Sequence, residues 1–286
     1  MSSIKIGWIG LGKMGNPMSQ HLINAGYPVA VFNRSKEKED ALKAKGAERV
    51  SSPSNLIQQS DVIIIMVSDD KAIYDIFSGA EGLLRAGVTG KIIINMSTVS
   101  SAISKEMALL CNQQGNHYLD APVSGSVKQA EGAQLVVMVG GEKPVYEQVK
   151  EVLDHLGKLT LYVGETGAGN ATKLAVNSLI GFYAQGLSEA VIFANQNQIR
   201  TEDLLTVINN SALANVFTKF KGDAILNDNF EPAFYLKHIV KDLGLARDQG
   251  LTTPLADTAY HSFLEAEKTM AEDDMISIFR HLSQSK

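Results

Sequence analysis

The sequence is poor in the residues from which several kinds of site are built. It holds one cysteine, Cys111, so no internal disulfide can form, which fits a reducing cytoplasm. The six histidines, at positions 21, 117, 155, 238, 261 and 281, form no pair at metal-ligand spacing, which argues against structural zinc. No apolar run reaches the ~20 residues of a membrane span. The run Ile4–Leu11 is short, carries Lys5 and precedes no cleavage-like segment, so no signal peptide is expected. Positive charge is not in excess: the net charge of −5 gives no reason to expect nucleic-acid binding. Low-complexity segments and internal repeats are also missing. What is present is ordinary for a soluble globular protein, with 45% hydrophobic and 20% charged residues in 286, enough for two domains.

The stretch Gly167–Gln198 stands out. Residues 170–198 contain no proline and only two charged side chains, Lys173 and Glu189. A helix of that length would run roughly 43 Å. Its apolar residues fall on every face, so most of it is expected to be buried. Lys173 in the first turns then needs a reason, because desolvating an unpaired ammonium is costly. Asn177 lies one turn further along the same face. Either the pair presents a cationic donor and an amide in a cleft, or Lys173 snorkels to solvent at a frayed helix start. This stretch alone leaves both open.

At the N-terminus, a buried strand over 4–9 runs into Gly10-Leu11-Gly12-Lys13-Met14-Gly15, and a helix follows to about Ala25. This is G-x-G-x-x-G between strand and helix. Its first glycine permits a tight turn, the second lets a pyrophosphate approach, and the third allows close helix packing. Free amides at the helix start would face the anion. The setting favours a dinucleotide over a ligand-free glycine turn. The next strand, 29–32, ends at Asn33-Arg34-Ser35, where an acidic residue would hold the ribose 2′-hydroxyl of NAD. No acid stands there. Arginine beside a small hydroxyl residue suits a 2′-phosphate, which points to NADP(H). Arg34 could also simply open the charged helix that follows.

Further strands are expected at 62–67, 91–95, 117–120, 135–139 and 159–163, with helices between most of them, Cys111 falling in one at about 101–114 as a small core residue. Continuous apolar strands alternating with helices imply a doubly wound, mostly parallel α/β sheet. Ligands to such sheets sit beyond the carboxyl ends of the strands. Three loops lie there: Val67-Ser68-Asp69, Met96-Ser97-Thr98, and Asp120-Ala121-Pro122-Val123-Ser124-Gly125-Ser126. The last could hold a substrate carboxylate, although it is also a competent turn. After Gly164 only helical patterns follow, dividing the chain into 1–164 and 165–286. Within the second part, Phe234–Ala246 sets Lys237 and Lys241 one turn apart beside Asp242, either as a surface charge stripe or as part of a site. So much apolar helical surface suggests a homo-oligomer.

Taken together, these motifs resemble the β-hydroxyacid dehydrogenases, which include 3-hydroxyisobutyrate dehydrogenase and the glyoxylate/succinic semialdehyde reductases. The likeness spans nearly the whole chain. It rests on Ile9–Met18, on Asp120–Gly125, on Gly167-x-Gly169-x-x-x-Lys173-x-x-x-Asn177 and on Lys241-Asp242. It implies a Rossmann-type domain joined through a long helix to an all-helical domain, in dimers or tetramers. Lys173 matches the family's general acid/base and Asn177 the amide that orients substrate. Ser124 and Gly125 match the substrate-carboxylate loop, and Thr98 a position near both nicotinamide and substrate. Lys241 and Asp242 match residues closing the site, the first beside the cofactor and the second beside the substrate. Phe234 resembles the aromatic of the semialdehyde-reductase branch. Gly10, Leu11, Gly12, Met14, Gly15, Asn33, Arg34, Ser35, Val67 and Ser68 complete the implied cofactor set. Ser126 and Ala133 depart from glycines common in the family, and Gly125-Ser126 resembles the same branch. The implied reaction is NADPH-dependent reduction of a small carboxylate-bearing aldehyde. A 3-hydroxyacid dehydrogenase, an imine reductase and a nucleotide sensor without turnover are the alternatives. Lys173 counts against the last two.

Overall fold

A computed structural model describes residues 4–284, and the chain divides into two compact units between Lys173 and Leu174. In the first, strands run over Ile6–Ile9 (β1), Val29–Phe32 (β2), Glu48–Arg49 (β3), Val62–Ile65 (β4), Ile92–Asn95 (β5), His117–Asp120 (β6), Val123–Ser124 (β7), Leu135–Gly141 (β8) and Gly157–Gly164 (β9). Helices cover Gly15–Asn24 (α1), Glu37–Lys43 (α2), Pro53–Gln59 (α3), Asp70–Ser78 (α4), Ser101–Gln113 (α5), Val127–Glu131 (α6) and Lys143–Asp154 (α7). Among the described residues the nine strands form one sheet, in the order β3-β2-β1-β4-β5-β6-β8-β7, with β9 also on β8. Strands β1 to β6 pair in parallel, whereas β8 is antiparallel to β6 and β7 and parallel to β9.

Strands buried on both faces explain the continuous apolar runs. Along β1, Ile6 and Trp8 enter one core with Met18, Leu22 and Val149, and Ile9 enters the other with Phe77, Ile103 and Met107. Along β4, Ile64 joins the first core while Ile63 and Ile65 join the second. Cys111 packs into the second core, and burial pushes its thiol up to about 12, as suits a packing residue. The expected strands are all found, with ends shifted by a residue or two. Two short ones were not foreseen, β3 and β7, the latter inside the Pro122–Ser126 turn.

Helix α8 covers Ala168–Gln196 and crosses the division. The second unit continues with Thr201–Asn209 (α9), Val216–Leu226 (α10), Leu236–Asp248 (α11), Pro254–Met270 (α12) and Ile278–Gln284 (α13). Its core gathers Ala184, Leu187, Val191, Ile239, Leu243 and Phe263. A buried ion pair, Lys221 Nζ to Asp274 Oδ1 at 2.6 Å, ties α10 to the turn before α13.

The expectation that α8 is mostly buried holds on only part of its circumference. Leu179, Tyr183 and Phe193 are 50%, 43% and 68% exposed. At 100° per residue they share one face with Ala175 and Gly186, which are also exposed. An apolar sequence on all sides therefore does not mean a helix covered on all sides. Among the described residues no helix is long and apolar enough to cross a membrane.

Candidate active site

The glycine-rich loop leaves β1 as a turn that only glycine allows at Gly10. Its φ is +96°, and a Cβ there would stand 2.1 Å from the Met66 carbonyl oxygen. A Cβ on Gly12 would meet nothing within 4 Å, so the loop is open on that side. Gly15 begins α1, whose cap residue Met14 makes no side-chain cap hydrogen bond. Amides without a side-chain cap beside an open glycine suit an incoming pyrophosphate. The residues present therefore fit a dinucleotide.

Asn33 occupies the expected place at the end of β2, but its side chain holds the loop together. Its Oδ1 accepts the Leu11 amide at 2.9 Å, and its Nδ2 donates to the Ser35 carbonyl at 2.8 Å. The Asn33 amide donates to the buried Glu39 carboxylate at 2.7 Å, and Arg49 Nε pairs with Glu39 at 3.0 Å. Arg34 and Ser35 stand exposed beside this tie.

At the ends of β4 and β5, the Val67 amide donates to Ser97 Oγ at 2.9 Å, drawing Val67 and Ser68 alongside the Ser97–Val99 loop. Asp69 caps α4 by accepting the Ala72 amide at 2.8 Å. Thr98 is half-buried. At the end of β6, Asp120 is fully buried, and its carboxylate accepts the amides of Gly167 at 2.7 Å and Asn170 at 2.8 Å. Burial pushes this carboxyl above the usual carboxylate range, and the amides pull the other way. Gly169 lets α8 press onto the strand ends, since a Cβ there would be 2.3 Å from the Asp120 carbonyl oxygen. Lys173 follows one turn later and is 9% exposed. The frayed, snorkelling alternative does not describe it: the start of α8 is anchored, and the lysine is buried. Ser124 is half-buried in β7 and Gly125 is exposed just beyond it.

In the second unit, Asn177 and Asp242 are both buried, and Asn177 Nδ2 donates to Asp242 Oδ2. Lys241 Nζ lies 3.3 Å from Asp242 Oδ1. Phe234 is half-buried, 6.0 Å from the His238 ring between centroids, and the Tyr235 ring lies 5.4 Å from His238. Lys237 pairs instead with Glu272, towards solvent. The motif residues thus gather in two groups. Val67, Thr98, Asp120 and Lys173 lie around the strand ends of the first unit, and Asn177, Lys241 and Asp242 cluster in the second. Sequence reasoning placed Asp120 at the head of a strand-end loop but missed its anchoring role, and it missed Asn170 altogether. The available signal was a carboxylate ending an apolar strand, which must find donors once buried.

A nucleotide cradle at the carboxyl ends of a parallel sheet, with a buried lysine on the helix leaving that sheet, is the build of a dinucleotide-dependent oxidoreductase. Residues 5–164 match the family described as the NAD binding domain of 6-phosphogluconate dehydrogenase. Residues 167–282 match the NAD-binding family of NADP-dependent 3-hydroxyisobutyrate dehydrogenase. The chain is 33% identical over 291 residues to the chloroplastic glyoxylate/succinic semialdehyde reductase 2 of Arabidopsis thaliana, covering all of this chain and 81% of that protein. It is equally 33% identical, over 96% of its length, to the human cytokine-like nuclear factor N-PAC, of which it spans about half (51%). Among solved structures, 3-hydroxyisobutyrate dehydrogenase of Mycobacterium tuberculosis with L-serine superposes with a TM-score of 0.89 at 28% identity, covering 98% of this chain and 99% of that one. The chain belongs to the 3-hydroxyisobutyrate dehydrogenase-like family of NAD(P)-dependent oxidoreductases.

Proposed function

We propose that the protein reduces a small carboxylate-bearing aldehyde, of the glyoxylate or succinic semialdehyde type, to the hydroxy acid with NADPH. The observation that carries this reading is a buried lysine, Lys173, on a helix start anchored by Asp120. When bound, the reduced nicotinamide supplies a hydride. Lys173, as ammonium, donates a hydrogen bond to the carbonyl oxygen, stabilises the charge growing there and gives up a proton to it. Thr98, Ser124 and Gly125 hold the substrate carboxylate, and Asn177 and Asp242 orient the substrate. Phe234 limits its length. Gly10, Leu11, Gly12, Met14 and Gly15 carry the phosphates, with Val67, Ser68 and Lys241 beside the cofactor.

NADPH is preferred over NADH because an exposed arginine and a hydroxyl stand where NAD-users carry an acid. Asn33 supports that corner by fixing the loop. Residues 1–164 form the nucleotide domain, 165–286 the long helix and substrate domain, and the exposed face of α8 meets a second copy.

Steady-state kinetics over glyoxylate, succinic semialdehyde, tartronate semialdehyde and methylglyoxal, with both cofactors, tests this. Turnover of a carboxylate-bearing aldehyde with NADPH above NADH is expected. Turnover of cyclic imines but none of these aldehydes refutes the reading.

A further inference from the structure

Below the strand ends of the first unit lies a chain of buried polar groups that no assigned role uses. Asn95, Ser97, Ser104 and Asn170 are fully buried, and Tyr118 nearly so. Ser97 Oγ accepts the Val67 amide at 2.9 Å, and Asn95 Oδ1 accepts the Ser97 amide at 3.0 Å. Asn95 Nδ2 donates to the Tyr118 hydroxyl at 3.1 Å, and Tyr118 is hydrogen-bonded to Ser104. Asn170 completes the chain. Its Nδ2 donates to Ser104 Oγ at 3.1 Å, and its Oδ1 accepts the Val99 amide at 3.0 Å. Its own backbone amide donates to Asp120.

One side chain thus bonds the first turn of α8 to α5 and to the residue after Thr98. A core needing only volume there would be filled by apolar groups, without the desolvation cost of so many polar ones. Full satisfaction of the network instead fixes position. Asn170 lies three residues before Lys173, on the same side of the helix.

We propose that Asn170 is a positioning residue. It holds the start of α8 in register with the Thr98–Val99 loop, so that the Lys173 ammonium meets the carbonyl oxygen of a substrate lying against that loop. This inference rests on the assignment of Lys173 as the proton donor. Displacing a reacting group by about 1 Å can cost about 10²-fold in rate. Asn170→Ser should therefore lower kcat roughly 10- to 100-fold while the Kd for NADPH changes by less than about twofold. Ser104→Ala, which removes one partner and disturbs the fold less, should lower kcat about three- to tenfold.

The test is a double-mutant cycle with Lys173→Ala, read as single-turnover NADPH oxidation. If Asn170 acts through Lys173, neither Asn170→Ser nor Ser104→Ala lowers the residual rate of Lys173→Ala further. An equal loss in both backgrounds means that the network has only a structural role and overturns the proposal. So does an unchanged kcat in both variants. If Asn170→Ser fails to fold, the Ser104→Ala cycle decides by the same criterion. Undiminished turnover in Lys173→Ala alone is a different result: it removes the assignment of Lys173, and the positioning role falls with it.

Discussion

Asp120 and Gly167, 47 residues apart, are joined by a hydrogen bond of 2.7 Å from the Gly167 amide to the Asp120 carboxylate, and the same carboxylate takes the Asn170 amide. A strand end and a helix start are thereby locked together without a solvent-exposed contact. Replacing Asp120 by alanine leaves two buried amides without acceptors. The expected loss is about 3 kcal/mol, from roughly 1.5 kcal/mol for each hydrogen bond to a charged group. Urea unfolding of Asp120→Ala against the wild type measures it. A loss below about 0.5 kcal/mol would mean that other contacts hold the helix start.

Arg34 stands exposed at the end of β2, beside the Asn33 tie. Charge-assisted hydrogen bonds to a 2′-phosphate contribute about 1.5–3 kcal/mol. Arg34→Ala should then lower kcat/KM with NADPH by roughly 10- to 100-fold and leave the NADH value nearly unchanged. An unaltered NADPH/NADH ratio would mean that Arg34 only begins the charged helix α2.

His238 is faced by Lys237, Lys241, Asp242 and Glu272 and by the rings of Phe234 and Tyr235. Burial, and next the positive charge of Lys241, hold its imidazole below the ordinary 6.5. The unfolded chain therefore binds this proton more readily than the native one, and native stability falls as pH drops through the window below 6.5. Relative to His238→Gln, the wild type should keep a constant stability above about pH 7 and lose it below. Denaturant midpoints of both proteins across acidic and neutral pH show this. A wild type that gains stability relative to His238→Gln on acidification would contradict the lowered pKa.

Apolar side chains left uncovered mark contact sites when they cluster. On α8 these are Leu179, Tyr183 and Phe193, while α10 exposes Val216 (83%) and Phe220 (61%). Sedimentation should give a dimer or larger species for the wild type at roughly micromolar concentration, and Phe193→Asp or Leu179→Asp should shift it towards monomer. A monomeric wild type would leave these faces unexplained by self-association.

Much of the fold was legible because parallel strands covered on both faces are apolar along most of their length, as Val62–Ile65 and residues 92–94 are. The two-residue strands β3 and β7 are too short to carry a period. The long helix was legible from its lack of proline, but its covering was not, since in sequence an exposed apolar face looks like one turned to a core. Asn33 shows a second limit. Its position at the end of β2 was readable, but the direction of its side chain, towards the Leu11 amide, was not. Lys221 and Asp274 pair across 53 residues, and neither has a local signal of its partner. Lys173 was visible as an anomaly, a charge in a largely apolar helix. The buried asparagine that holds its turn was not, because asparagine near a helix start is unremarkable.

The most direct measurement is turnover of Lys173→Ala with the best aldehyde of the panel, alongside NADPH binding by fluorescence titration. If Lys173 is the general acid, kcat falls by about 10²–10⁴, the usual contribution of such a group, with the Kd for NADPH nearly unchanged. Near-normal turnover in a folded variant that still binds NADPH would contradict it.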